Sequence, residues 1–324
     1  MHLPPVFFPT RILLIDDEPQ VLRMTARLFR QQREVAEVLT FADAVSALAF
    51  VERERVRLPA LDAFAAARVN DEFDDDGPEP AIRRRVEIRL ADVTGVLDVA
   101  TRHELISVVV CDYAMPVMDG LEFFSRTAGR DAGDPNTRRV LLTALCDEHR
   151  AIQAFNRGAI HHFVHKADPA GPRGLESMLV EQVQAFFRAH TSHLAATLAF
   201  GPAGRLLDHP GLPSLLGKVM EAGGYREYSF CAAPLGFRLG AGARRALLLL
   251  ADAEAFLRAQ RVVDEIDGPA SLAQALRART VLPAARDGAP IYDAGDDWRE
   301  MAVAPAVEAK GGGAAEPLYW AVIG

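Results

Sequence analysis

Residues Ile106 to Gly120 read ISVVVCDYAMPVMDG. The segment from Ile106 to Cys111 is an almost unbroken apolar run of strand length. Such a run is expected where both faces of a strand are covered, as in a parallel sheet flanked by helices. It closes on Asp112, and Pro116 and Gly120 then break the chain into a loop.

The same pattern recurs on either side. Arg11 to Ile15 (RILLI) is apolar and closes on Asp16, Asp17, Glu18 and Pro19. Pro19 suits a first helical turn, where its missing N–H has no partner to lose. Val21, Leu22, Met24, Leu28 and Phe29 follow at helical spacing. Glu34 to Thr40 reads as a strand. Ala42 to Val51 reads as a helix with Val45, Leu48 and Ala49 on its buried face. Beyond Asp112, Leu121 to Thr127 is a short helix, Val140 to Leu145 a strand, and Asp147 to Arg157 a helix stopped by Gly158. Ala159 to His165 is a last strand closing on Lys166. Its alternation puts His161, Phe163 and His165 on one face, and the three histidines, His162 included, read as surface or interface residues. Leu175 to about Ala199 is a long helix carrying Leu179, Val183, Phe186, Phe187, Leu194 and Leu198.

One interval is too long. Asp17 and Asp112 lie 95 positions apart, whereas strand, helix, strand and helix with short loops need roughly 45–50. About 50 residues, roughly Glu52 to Arg102, are therefore inserted. They hold an acidic, turn-rich stretch, Asp71 to Pro80, and a basic one, Arg83 to Arg89. The stretch reads either as a solvated loop with a helix or hairpin on the domain edge, or as a partner or dimer surface.

After Gly201 the texture changes to short segments punctuated by Gly and Pro. Glu227 to Leu239 and Arg245 to Leu250 read as two strands. Ala253 to Val263 and Ser271 to Arg279 read as helices, and Leu318 to Ile323 as a terminal strand. This is a second, α+β domain. Its 13 Lys and Arg against 15 Asp and Glu disfavour DNA, and it has no recognition helix. It shows no phosphate-binding loop, HExxH or GxSxG motif. The Gly223-Gly224 pair near a glutamate is a weak cue for a nucleotide cyclase.

The 324 residues carry a net charge of −8, which argues against a broad nucleic-acid surface. No stretch is long and apolar enough for a membrane helix. The N-terminus lacks the basic and apolar regions of a signal peptide. Cys111, Cys146 and Cys231 are too few and scattered for a disulfide framework or a zinc site. A soluble cytoplasmic protein is expected.

In open α/β sheets, function collects at the carboxyl ends of the strands. Here those ends carry Asp16 and Asp17, Asp112, Thr143 and Lys166. Clustered carboxylates suit a hard divalent cation such as Mg²⁺. A hydroxyl and an ammonium beside them suit a transferring phosphoryl group.

The strings ILLIDDEP, VVVCDYAMPVMDG, LLTA and FVHK, in that order, resemble the receiver domain of two-component response regulators. The resemblance covers Arg11 to Ala199 apart from the insert. It implies a doubly wound five-stranded parallel sheet of order 2-1-3-4-5. It implies a receiver over residues 11–172, a connecting helix over 173–199 and a separate domain over 200–324. Asp112 resembles the aspartate phosphorylated by a histidine kinase or phosphotransfer protein. Asp16 and Asp17, with Asp112 and the backbone carbonyl of Ala114, would hold Mg²⁺. Thr143 and Lys166 would bind phosphoryl oxygens, Ala144 is small enough to admit the group, and Phe163 stands where the family has its switching aromatic. Met115, Pro116, Asp119 and Gly120 match the loop after the phosphoacceptor, Gly120 as a turn residue. The chain departs from the family in having Ala167 rather than Pro after the lysine.

Three outputs stay open for the C-terminal domain. It is a module that binds a downstream protein or a second copy of the chain, or a phosphorylation-regulated enzyme of unfamiliar type, or, least favoured, a DNA-binding domain.

Overall fold

The computed structural model describes residues 3–29, 36–54, 68–74, 81–87, 96–127, 135–143, 148–166, 171–192, 202–232, 235–285, 298–302, 304–305 and 317–324. Spatial contacts divide the chain into two bodies. One comprises Phe7–Asp62 and Asp98–Thr191, the other Met1–Val6, Ala63–Leu97 and Ser192–Gly324.

In chain order, strand β1 (Val6–Phe7) precedes β2 (Thr10–Ile15), helix α1 (Pro19–Phe29), β3 (Ala36–Phe41) and α2 (Ala44–Arg53). Strands β4 (Arg68–Asp74) and β5 (Ala81–Glu87) follow. Next come β6 (Ile106–Asp112), α3 (Gly120–Thr127), β7 (Arg138–Thr143), α4 (Glu148–Asn156), β8 (His162–His165) and α5 (Gly171–His190).

The first body is built on a five-stranded parallel sheet of order β3-β2-β6-β7-β8. Counting only the strands of this sheet, that is 2-1-3-4-5, the order that the family resemblance implies. The two central strands are buried as their composition requires: Ile12 to Ile15 and Val108 to Cys111 are each at most 5% exposed. Helices then cover the apolar faces. Phe123 and Phe124 of α3 and Ala151 and Ala154 of α4 join Leu13, Ile15, Val109 and Leu141 in one core. On α5, Leu179, Val183, Phe186 and Phe187 are buried, and Phe7 and Phe8 pack their rings on Phe187 at centroid distances of 5.3 and 4.9 Å.

Two expectations are corrected here, and a third is made more specific. Helix α2 buries Ala44, Ala47 and Val51, and leaves Val45 half exposed and Ala49 exposed. Its phase is set by Asp43, whose carboxylate caps the helix by accepting the Ser46 N–H at 2.7 Å. Alanines on the inner face let the backbone approach the sheet. Helix α5 begins at Gly171 and ends at His190, where Thr191 turns its hydroxyl back to the Phe187 carbonyl. Leu194 and Leu198 lie outside the described residues. His161 is half-buried, in keeping with a surface or interface place, and its ring is fixed by hydrogen bonds. Its Nδ1 accepts the Arg139 N–H at 2.9 Å, its own N–H donates to the Arg139 carbonyl at 2.8 Å, and burial beside Arg138 and Arg139 lowers its pKa to about 4. Gly158, at φ +70°, ends α4 as read.

Strands β4 and β5 form a separate antiparallel hairpin. Its register sets Asp71 opposite Arg84, Glu72 opposite Arg83 and Arg68 opposite Glu87. Asp71 and Glu72 of the acidic run therefore lie opposite arginines of the basic run, and residues 75–80 of the acidic run lie outside the described residues.

The chain continues with α6 (Pro202–Leu207), α7 (Leu212–Gly223), β9 (Glu227–Ala232), β10 (Leu235–Ala241), β11 (Arg244–Ala251), α8 (Ala253–Glu265) and α9 (Ala270–Arg277). It closes with β12 (Val281–Ala285), β13 (Trp298–Ala302), β14 (Ala304–Pro305) and β15 (Tyr319–Ile323). The sheet order is β1-β9-β10-β11-β15-β14, with β9 to β14 antiparallel. The stretch read as one strand over Glu227–Leu239 is two. Phe237 on β10 is fully buried between Tyr228 and Phe230 of β9. Helices α8 and α9 pack through Phe256, Ala259, Val263, Leu272 and Leu276. Among the described residues no helix is long and apolar enough to cross a membrane.

Candidate functional site

Three strand ends of the parallel sheet bring the site together. Asp16 follows β2, Asp112 ends β6, and Lys166 follows β8. The ladder is extended past each strand to fix them. The Asp16 N–H donates to the Phe41 carbonyl at 3.1 Å, the Tyr113 N–H to Leu142 at 2.8 Å, and the Lys166 N–H to Thr143 at 2.9 Å. Acceptor and ammonium groups from distant parts of the chain are thereby held on rigid backbone.

The carboxylate oxygens of Asp16, Asp17 and Asp112 offer one ligand atom each within 4.8 Å of one another. Asp16 is fully buried, Asp112 almost so, and Asp17 is exposed. Lys166 Nζ lies 3.0 Å from Asp112 Oδ2, 3.0 Å from Asp16 Oδ2 and 2.9 Å from Glu18 Oε1. Burial raises the pKa of Asp16, against the lowering by the Glu18 N–H and Lys166, and Asp112 adds to the rise. Burial also disfavours the charge on Lys166, but the carboxylates of Glu18, Asp112 and Asp16 outweigh it and raise its pKa. Several acids thus share one ammonium. A donor set of hard, mutually repelling carboxylate oxygens with water access through Asp17 fits Mg²⁺.

The other expected residues are placed as follows. Thr143, at the end of β7, is buried. Ala114 is exposed in the loop after Asp112. Phe163 on β8 is half-buried and meets Phe155 of α4 edge to face at 6.4 Å. Ala144 lies outside the described residues, as does Cys146. Cys111 is fully buried, and burial followed by the charges of Asp112, Asp16 and Asp119 pushes its thiol pKa well up, so it is inert core.

The loop after Asp112 is tightly drawn. The Met118 N–H donates to the Pro116 carbonyl at 2.8 Å, with Val117 between them at φ +70° and 92% exposed. Asp119 caps α3 through the Glu122 N–H at 2.8 Å. Gly120 donates to the Tyr113 carbonyl at 3.1 Å. A Cβ there would lie 2.4 Å from the Asp112 carbonyl oxygen, so close approach, not a turn, demands glycine. Two further residues border the site without a sequence signal for it. Arg150 of α4 donates to the Tyr113 hydroxyl and lies over its ring. Glu18 was legible only as a third acid.

No protein-family model and no curated protein matches the chain. Among solved structures, the Legionella pneumophila response regulator LqsR aligns with all of this chain and 90% of its own, at 20% identity and a TM-score of 0.68. A response regulator receiver domain protein from Clostridium thermocellum aligns with 58% of this chain and 98% of its own, at 15% identity and a TM-score of 0.32. A chemotaxis protein of Vibrio cholerae aligns with 53% and 98%, at 18% identity and a TM-score of 0.33. The full-length likeness is one of fold. The chain shares with LqsR a five-stranded parallel α/β sheet, interrupted by an insertion, and an antiparallel α+β domain.

Proposed function

We propose that this protein is a cytoplasmic two-component response regulator. Asp112 accepts a phosphoryl group from a sensor histidine kinase or a phosphotransfer protein. The change switches the C-terminal domain, acting as a module that binds a downstream protein or a second copy of the chain. The observation that carries this reading is the meeting of Asp16, Asp17 and Asp112 within 4.8 Å, with Lys166 3.0 Å from Asp112.

An oxygen of the Asp112 carboxylate attacks the phosphorus of a phosphohistidine. The O–P bond forms as the N–P bond breaks, and the imidazole leaves with the electron pair. Mg²⁺, held by the carboxylates of Asp16, Asp17 and Asp112 and the Ala114 carbonyl, would neutralise charge on the phosphoryl oxygens. Lys166 gives its ammonium to one phosphoryl oxygen and the Thr143 hydroxyl donates to another. Ala144 leaves space for the group, and Phe163 responds to the movement of Thr143.

The test is labelling of the full chain. Acetyl phosphate with Mg²⁺ should add one phosphoryl group by mass. Asp112→Asn should add none, because an amide is a poor nucleophile. Labelling that persists in Asp112→Asn, or never occurs in the parent protein, overturns the assignment.

A further inference from the structure

Lys166 is held from two sides. Asp16 and Asp112 approach its ammonium from within the fold, their side chains 0% and 6% exposed. Glu18 approaches from solvent, its side chain 60% exposed and Oε1 at 2.9 Å from Nζ. The backbone N–H of Glu18 also donates to Asp16 Oδ1 at 2.8 Å. One residue therefore touches both the acidic pair and a lysine 148 positions away.

The three carboxylates do not stay equivalent when the site works. With Mg²⁺ bound, Asp16 would serve the cation. With the phosphoryl group in place, Asp112 is an acyl phosphate and no longer a free carboxylate. Glu18 is then the carboxylate left to Lys166. A lysine stem has four rotatable bonds, and holding it in one geometry has an entropic cost. Its ammonium has three donors, so one spent on Glu18 leaves two for phosphoryl oxygens.

We propose that Glu18 is a positioning residue that keeps the Lys166 ammonium at the phosphoryl group in the loaded state. This rests on the reading of Asp112 as the phosphoacceptor.

The test uses the full chain with beryllofluoride as the phosphoryl mimic at saturating Mg²⁺, followed by calorimetry. Glu18→Ala should weaken mimic binding by about two- to fivefold, the range of an exposed ion pair. Glu18→Gln, which keeps an acceptor, should fall between it and the parent protein. In a Lys166→Ala background, Glu18→Ala should have no further effect, because the two act as one unit. A general structural role would not vanish with the lysine. Equal or tighter mimic binding in Glu18→Ala overturns the proposal and leaves the phosphoacceptor reading intact, as does an equal loss without Lys166. A parent protein that binds no mimic overturns both.

Discussion

Gly120 shows how little room surrounds Asp112. The 2.4 Å that a Cβ would leave to the Asp112 carbonyl oxygen is a clash with backbone, and the Leu141 side chain stands at 3.0 Å beside it. No rotamer change relieves it. Gly120→Ala should therefore cost about 1–3 kcal/mol, the range of overpacking in a filled site, read as a lower urea midpoint. It should also weaken Mg²⁺ binding, because the clash displaces Asp112 itself; unchanged affinity with lowered stability would separate the loop from the site. The identity of the acidic cluster was legible from sequence because each member ends an apolar run, and strand ends of a parallel sheet share one edge. The reasons for Gly120 and Glu18 were not. Each depends on an atom brought close by the fold, Asp112 O for one and Lys166 Nζ for the other, and local spacing carries no sign of that.

Among the elements, β8 and its entry at His161 carry a pH dependence. In the folded chain the imidazole must stay neutral to accept the Arg139 N–H, and burial with Arg138 and Arg139 nearby holds its pKa at about 4. The unfolded chain titrates near the ordinary value of about 6.5. Between these limits the unfolded state binds more protons. Stability should be full above roughly pH 6.5 and should fall as pH drops toward about 4. His161→Asn, which keeps an acceptor but does not titrate, should flatten that slope; a slope unchanged in the variant would assign the loss to other groups. The sequence read this histidine as a surface or interface residue, since alternation gives the face but not the hydrogen bonds made there. Helix α2 was misread for a related reason. The pattern Val45, Leu48 and Ala49 is as good a stripe as Ala44, Ala47 and Val51, and only the cap at Asp43 and the closeness of the sheet choose between them. The insert gave its charges but not which positions face each other, which follows from the antiparallel register of β4 and β5.

At the scale of the whole molecule, the chain passes between its two bodies four times, at Val6–Phe7, Asp62–Ala63, Leu97–Asp98 and Thr191–Ser192. Composition shifts mark the last crossing alone, which is why the sequence read as two successive domains with an insert. Two of these crossings bear on the site by connectivity. Residues 98–105 lead into β6, which ends at Asp112, and Thr191 follows α5, the helix after Lys166. Both tryptophans, Trp298 and Trp320, belong to the body that lacks Asp112. Trp320 lies on β15 opposite Leu250 and is half-buried, an environment in which small shifts alter emission. A ligand moves an equilibrium only as far as it binds one state better than another. If beryllofluoride with Mg²⁺ at Asp112 favours one arrangement of Thr143 and Phe163, and the crossings carry that preference, tryptophan emission should change on adding the mimic. The change should disappear in Asp112→Asn, where the mimic has no carboxylate to join. Mimic binding seen by calorimetry with a silent emission spectrum would mean that the second body does not respond, and the switching half of the proposed function would then lose its mechanism while the phosphoacceptor half stood.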